Sequence, residues 1–126
     1  MNGHFDITID PARKLLRITL RGFFSAENVG EYLVAKNAAL TRLNCRPNQH
    51  VTLVDVSASK LQSQDVVRAF QSTIADPRHQ SRRIAIVTGS SLARMQVRRL
   101  LTRDNAGCFE TIEEAEAWLI RPEHSA

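Results

Sequence analysis

The sequence predicts an α/β fold in which helices pack on a mixed sheet, in the order ββαβαβαβα. Two segments near the start alternate apolar and polar side chains, as strands with one solvent-facing side do. Two later runs are short and almost wholly apolar, which is typical of strands buried on both faces. Segments with helical apolar spacing separate these strands. This alternation implies right-handed crossovers and parallel pairing of the last four strands.

Length and composition predict a single domain over residues 1–126. Hydrophobic residues make up 43% of the chain and charged residues 24%, a balance that excludes disorder. No apolar run approaches the roughly 20 residues of a spanning helix, and the start lacks the pattern of a signal peptide, so we expect a cytoplasmic protein. Cys45 and Cys108 are far apart and belong to no CxxC pair, which favours reduced thiols over a disulfide or a metal site.

The first two strands should form an antiparallel hairpin. Apolar residues alternate with polar ones at Phe5, Ile7 and Ile9, and again at Leu16, Ile18 and Leu20. Between the two strands, Pro11 presets φ for a turn over residues 10–13. One face of the hairpin is therefore predicted to be apolar and the other polar.

The next elements are a long helix, a buried strand and a second helix. Ser25 is the expected N-cap of the long helix, which runs to about Arg42. Residues 51–56 are predicted as the strand and residues 57–62 as a loop. Ser63 should cap the second helix, which ends before Pro77 because the residue before a proline disfavours helical geometry.

The last third of the chain predicts a strand, a helix, a very short strand and a final helix. These elements cover residues 84–87, residues 91–103, residues 108–109 and a helix that opens at Thr111. The final helix is expected to bury Ile112, Ala115 and Trp118 or Leu119. In the third helix, a wheel at 100° per residue places Met95 outside the apolar arc and beside arginines.

Three stretches of the chain are distinctive: residues 20–24 (LRGFF) before the long helix, residues 51–56 (VTLVDV) before a serine-bearing loop, and residues 92–96 (LARMQ) after a Thr-Gly-Ser turn. With the order of elements, they resemble STAS-like, SpoIIAA-like domains, the group that includes bacterial anti-sigma-factor antagonists. The resemblance spans nearly the whole chain and is greatest to the uncharacterised stand-alone bacterial branch, with Sec14-like lipid carriers more distant. It implies a SpoIIAA-like fold and a regulatory, protein-binding role.

The resemblance also implies a place for a phosphate-accepting residue. In the antagonists, this serine or threonine lies in an Asp-Ser-Ser-Gly-like run where a helix follows the third strand. Ser63 occupies that place here, without the preceding acid and the following glycine. A helix N-terminus favours a phosphate, whereas the nearby Asp65 opposes it. Ser63 is therefore a candidate phospho-acceptor, and a plain N-cap is the alternative.

Loops that leave the carboxyl ends of parallel strands meet at one edge of a sheet, where open α/β proteins bind ligands. The predicted edge comprises residues 22–25, 55–63, 88–91 and 110–111, and its candidate ligand residues are Phe23, Phe24, Asp55, Ser57, Gly89, Ser90 and Ser91. A glycine turn before a helix start could bind an anion, and the two phenylalanines could line an apolar pocket. Structural explanations are the alternatives: a serine cap, a phenylalanine packed on the first helix, and an aspartate that accepts backbone N–H groups.

Charge is distributed unevenly along the chain. Residues 76–103 contain seven arginines against one acid, a net +6, and residues 104–126 contain six acids against one arginine, a net −5. Such segments can neutralise each other or steer a charged partner. The third helix brings together Arg94, Met95, Arg98 and Arg99. An apolar spot with an arginine rim is typical of interfaces, and a solvated helix face is the alternative.

The sequence lacks the motifs of common enzymes. It contains no GxSxG, HExxH, GxGxxG or GxxxxGK[ST] pattern, so we expect a protein without catalytic activity or cofactor. A pI of about 9.7 and the arginine-rich segment suit nucleic acid. The few aromatic residues leave little surface for base stacking, which argues against nucleic acid as the partner.

Together these features predict a non-catalytic regulatory or binding module. It would contact a partner protein, or a second copy of itself in a homodimer, through the third helix and the strand-end loops. The alternative is a carrier of a small apolar or anionic, lipid-like ligand, held between the two phenylalanines and the glycine turn. A third hypothesis, a small hydrolase or transferase that uses Asp55 or Ser63, has less support.

Overall fold

The computed structural model describes residues 3–44, 46, 49–59, 63–75, 80–100 and 105–121. They form β1 (His4–Asp10), β2 (Leu15–Gly22), α1 (Ala26–Leu43), β3 (Val51–Ser59), α2 (Gln64–Ala75), β4 (Arg83–Val87), α3 (Ser91–Leu100), β5 (Ala106–Phe109) and α4 (Ile112–Leu119). The strands lie in the order β1-β2-β3-β4-β5. β1 and β2 are antiparallel, and the other neighbouring pairs are parallel. The predicted element order and mixed sheet are confirmed.

The turn between β1 and β2 is built from local contacts. The Lys14 N–H donates to the Pro11 carbonyl at 3.2 Å, and Lys14 adopts the left-handed conformation with φ 53°. The Arg13 N–H donates to Asp10 Oδ1 at 3.3 Å. Pro11 therefore lies in the turn, but the backbone hydrogen bond closes residues 11–14, one residue later than the predicted turn over residues 10–13.

α1 begins at the predicted cap. Ser25 Oγ accepts the Asn28 N–H at 3.2 Å, and the Ser25 N–H donates to Asn28 Oδ1 at 3.4 Å, so each residue satisfies the other at the helix start. This reciprocal pair of hydrogen bonds is a capping box. The two residues that flank it, Phe24 and Val29, lie together in the core. Asn44 ends the helix in the left-handed conformation, with φ 55°.

The larger core lies between one face of the sheet and the helices α1 and α2. Its buried members include Leu16, Ile18, Leu20, Phe24, Val29, Tyr32, Val54, Val66, Ile84 and Ile86. At its centre, the Tyr32 ring packs edge to face against Phe5 and Phe70, with centroids 5.8 and 5.4 Å away. Burial raises the pKa of the Tyr32 phenol, because the charged form is poorly solvated there.

A second core lies on the opposite face, where α4 packs against β3, β4 and β5. Its fully or nearly fully buried members are Leu15, Val51, Leu53, Ala85, Val87, Ala115 and Leu119. The prediction that Ile112 is buried is wrong, since this side chain is 42% exposed. Ile112 is the first residue of α4, and the row that faces the sheet starts one turn later, at Ala115.

The predicted loop after the third strand is also wrong in its first part, because β3 continues to Ser59. The neighbouring strand β2 extends to Gly22, which pairs with Ser59, while Thr19 pairs with Asp55. A register shift between these pairs inserts an extra residue into β3, as in a β-bulge. Some predicted features lie outside the described part of the chain. They are the rest of the predicted loop (residues 60–62), Cys45, the proline expected after the second helix (Pro77) and the predicted end of the third helix (residues 101–103). Among the helices that the structure describes, none has both the length and the apolar character needed to cross a membrane.

Candidate functional site

The parallel strands end at one edge of the sheet. A cross-sheet row joins Thr19, Asp55, Val87 and Phe109 in register, and the chain leaves each strand beyond this row. Because the four strands run in the same direction, the segments that follow them start from a common edge. We call this edge the carboxyl rim, and we use the name for the exposed, described residues that follow the strands in sequence: Phe23, Ser63, Gly89, Ser90, Ser91 and Glu110.

The two adjacent phenylalanines at the rim have different environments. Phe23 is 47% exposed, whereas Phe24 is 1% exposed and packs edge to face against Phe70 at 5.6 Å. Phe24 is therefore buried, as expected if one of the two phenylalanines packs on the first helix, and Phe23 is the exposed member of the pair. Phe24 lies just before the Ser25 cap and packs under α1, the position at which an apolar side chain anchors a helix start.

Asp55 acts on the backbone of its own strand. Its Oδ1 accepts the Ser57 N–H at 2.9 Å, which stabilises the chain where β3 bulges. Ser57 is exposed but lies within β3 instead of the predicted loop, so its placement in a rim loop is wrong. An aspartate that satisfies a nearby backbone N–H was the structural alternative for Asp55, and the hydrogen bond matches it.

Ser63 precedes α2 and is exposed. Its Oγ accepts the Val66 N–H at 3.3 Å, and its carbonyl accepts the Val67 N–H at 3.0 Å, the two contacts of an N-cap. The nearby Asp65 side chain is 93% exposed and 3.8 Å from Arg68. A phosphate on Ser63 would gain from the helix N-terminus but would lie near this carboxylate.

The turn before α3 is exposed from Gly89 to Ser91. The Ser90 carbonyl accepts the Arg94 N–H at 2.9 Å, so Ser90 is the residue that caps the helix. Its own N–H donates to Thr88 Oγ1 at 3.4 Å. One donor that an anion at this turn would use is thus already engaged within the chain.

α3 presents Met95 and Arg98 to solvent. Met95 is 55% exposed and Arg98 is exposed, while Val97 packs against the larger core. Arg94 is only partly exposed, and its guanidinium lies 2.5 Å from Glu110 and 3.4 Å from Ser91 Oγ. The Arg99 side chain lies outside the described part of the structure. We call Met95 and Arg98 the α3 patch.

The pair between Arg94 and Glu110 joins the basic and acidic segments of the sequence. It connects α3 to the loop after β5. Part of the arginine charge is therefore neutralised within the chain, and Arg98 remains exposed beside Met95.

The arginines of α3 also act on Cys108 in β5. Burial raises the pKa of the Cys108 thiol, while the positive charges of Arg98 and Arg94 act in the opposite direction.

Sequence reasoning missed a polar cluster at the opposite edge of the sheet. His50, Thr52 and Ser81 are all buried. His50 Nε2 lies 3.2 Å from Ser81 Oγ, which also hydrogen-bonds to Thr52 Oγ1. The only sequence signal was a threonine within an apolar strand, next to a histidine. Burial of all three side chains suits a network that ties β3 to the segment before β4.

Within the described ranges, no three histidine, cysteine, aspartate or glutamate side chains converge as a metal site requires. The protein belongs to the class of α/β domains with one mixed sheet and a carboxyl rim. More specifically, it has a SpoIIAA-like fold. It is similar to an uncharacterised DUF3478 protein with a SpoIIAA-like fold from Shewanella loihica, at 18% identity, 94% coverage of each chain and a TM-score of 0.73. No family model and no curated protein matches the sequence.

Proposed function

We propose that this chain is a non-catalytic, STAS-like regulatory module that binds a partner protein through the α3 patch and the adjoining rim. The observation that carries the proposal is the exposed Met95 beside Arg98. A flexible thioether and a guanidinium are side chains that protein interfaces favour. The partner surface would be an apolar socket with carboxylates around it.

Two features of the rim support a binding role over catalysis. The two side chains that a hydrolase would use, Asp55 and Ser63, each accept a hydrogen bond from a backbone N–H nearby. A catalytic nucleophile needs a base within hydrogen-bond reach, and neither contact supplies one. Arg94 contacts Glu110 at 2.5 Å, which links α3, the helix that carries Met95, to the loop after β5.

The test compares two matched double variants as baits in the source cells. Met95→Glu with Arg98→Glu changes the α3 patch. Val34→Glu with Arg42→Glu makes the same charge change on α1, where Val34 is 73% exposed and Arg42 is exposed. Mass spectrometry identifies the proteins that the native chain retains, and calorimetry with the purified partner measures the affinity.

We expect the α3 double variant to weaken binding about 100-fold or more, because two central contacts are lost and like charges meet. The α1 double variant should bind within about twofold of the native chain. Equal binding by both variants would refute the proposal.

The exposed Phe23 favours one alternative function, a carrier of a small ligand at the rim. Native mass spectrometry of the same bait would then show a small added mass in place of a protein partner.

A further inference from the structure

In the part of the chain that the structure describes, β1 is an edge strand of the sheet and pairs with β2 along its full length, from His4 opposite Arg21 to Asp10 opposite Leu15. Its other side carries backbone N–H and C=O groups, the feature by which edge strands join a strand of another chain. With seven residues, β1 is longer than β5, the four-residue strand at the opposite edge.

The apolar face of the hairpin is incompletely covered at β1. In β2, Leu16, Ile18 and Leu20 are buried, at 0, 1 and 6% exposure. The residues opposite them in β1 pack against the same core but stay partly exposed; they are Ile9, Ile7 and Phe5. The apolar row thus continues to the edge of the sheet, and a further strand beside β1 would complete its burial.

We propose that two copies of this chain pair through β1, antiparallel and around a twofold axis that passes beside Ile7. In this register, His4 lies opposite Asp10 of the second copy, Phe5 opposite Ile9, Asp6 opposite Thr8, and Ile7 opposite its own equivalent. The two five-stranded sheets become one continuous sheet. This contact is self-complementary, as a twofold interface must be.

The charges on β1 select this register. A shift by two residues in one direction places Asp6 opposite its own equivalent, and the shift in the other direction places Asp6 opposite Asp10. Like charges directly opposite each other on a sheet are destabilising. The register centred on Ile7 avoids both of these like-charge contacts. It places the His4 imidazole, a hydrogen-bond donor, opposite the Asp10 carboxylate of the second copy. It also pairs all seven residues of β1 and matches apolar with apolar side chains on the core face.

Thr8 provides the test. It is exposed and lies opposite Arg17 within the chain, and in the dimer it lies opposite Asp6 of the second copy. Thr8→Lys should therefore strengthen the dimer and Thr8→Glu should weaken it, each by about tenfold, since the twofold axis doubles the effect. Within one chain the order is reversed, because glutamate is attracted to Arg17 and lysine is repelled. Dimer affinity and monomer stability therefore move in opposite directions.

Sedimentation equilibrium measures the dimer dissociation constant, and urea unfolding measures monomer stability. Thr41 on α1, also exposed, is the matched control, and Thr41→Lys and Thr41→Glu should leave the dissociation constant within about twofold. The proposal is overturned if the native chain stays monomeric at the highest concentration reached, or if both Thr8 variants change the constant in the same direction. The Met95→Glu, Arg98→Glu variant should dimerise normally. Loss of its dimer would instead place self-association on the α3 patch.

Discussion

The two faces of the sheet are covered to different extents. On one face, α1 and α2 pack over a core that runs from β1 to β4. On the other face, α4 packs against β3, β4 and β5. Leu15 at the start of β2 joins this second core, and among the residues that the structure describes the rest of the β1–β2 half is polar. Asp6 and Arg21 form an ion pair on this uncovered half, with N–O distance 2.6 Å and side chains 64% and 56% exposed.

This difference explains the two kinds of strand pattern in the sequence. β3 and β4 are largely apolar on both faces because α4 covers their second face, whereas β1 and β2 beyond Leu15 alternate because α4 does not extend over that part of the sheet. At the boundary, the Arg17 guanidinium in β2 contacts Glu116 Oε1 in α4, through Nε at 2.8 Å and Nη2 at 2.6 Å. The contact joins the polar half of the face to the helix that covers the rest.

The largest expected effect tests whether the contact between α4 and the sheet is a tightly packed hydrophobic core. Leu119→Ala should lower the free energy of unfolding by about 2–5 kcal/mol, because it removes a fully buried side chain and leaves a cavity between α4 and the sheet. Ile120→Ala, at the adjacent 49% exposed position, should change it by less than about 0.5 kcal/mol. Urea unfolding measures both. If both variants lose less than about 0.5 kcal/mol of unfolding free energy, α4 is only loosely packed against the sheet.

A smaller effect tests how tightly this second core is packed. A Cβ at Gly107 in β5 would lie 2.9 Å from the Phe109 ring and 3.5 Å from the Trp118 ring. Gly107→Ala should therefore cost about 1–3 kcal/mol through overpacking. A Cβ at Gly89 on the rim meets nothing within 4 Å, so Gly89→Ala should be tolerated. Thermal unfolding compares the two, and equal stability would show that the rings move aside freely.

The smallest effect compares the two ion pairs of the polar face by double-mutant cycles. The exposed pair Asp6–Arg21 should contribute a coupling energy of about 0.2–1 kcal/mol, reduced by salt. The pair Arg17–Glu116 should contribute more, since its side chains are only 38% and 24% exposed and two guanidinium nitrogens contact the carboxylate. A weaker coupling for Arg17–Glu116 would remove its role as the link between β2 and α4.

The fold was predictable because its signals are local. Alternation at Phe5, Ile7 and Ile9, the Ser25 cap and the apolar runs of β3 and β4 each depend on a few neighbouring residues. The end of β3 was not predictable, since it depends on how far β2 extends beside it. The exposure of Ile112 likewise depends on the angle at which α4 meets the sheet.

Strand direction was predictable, but the environment of each residue near the strand ends was not. Phe23, Ser63 and Gly89 follow β2, β3 and β4 in sequence, and these strands are parallel neighbours. The choice between Phe23 and Phe24 was open, because adjacent identical side chains differ only in what surrounds them. The same holds for Arg94, whose partner Glu110 is sixteen positions away in sequence.

The sequence alone therefore determined the order of elements, the direction of the strands and the edge at which their loops meet. These follow from periodicity and capping, which act over one or two turns of chain. Only the tertiary structure decided which phenylalanine is buried, which arginine is paired, and how the His50–Ser81 network and the uncovered polar face arise. Those outcomes depend on contacts between segments far apart in sequence, and such contacts exist only once the sheet has formed.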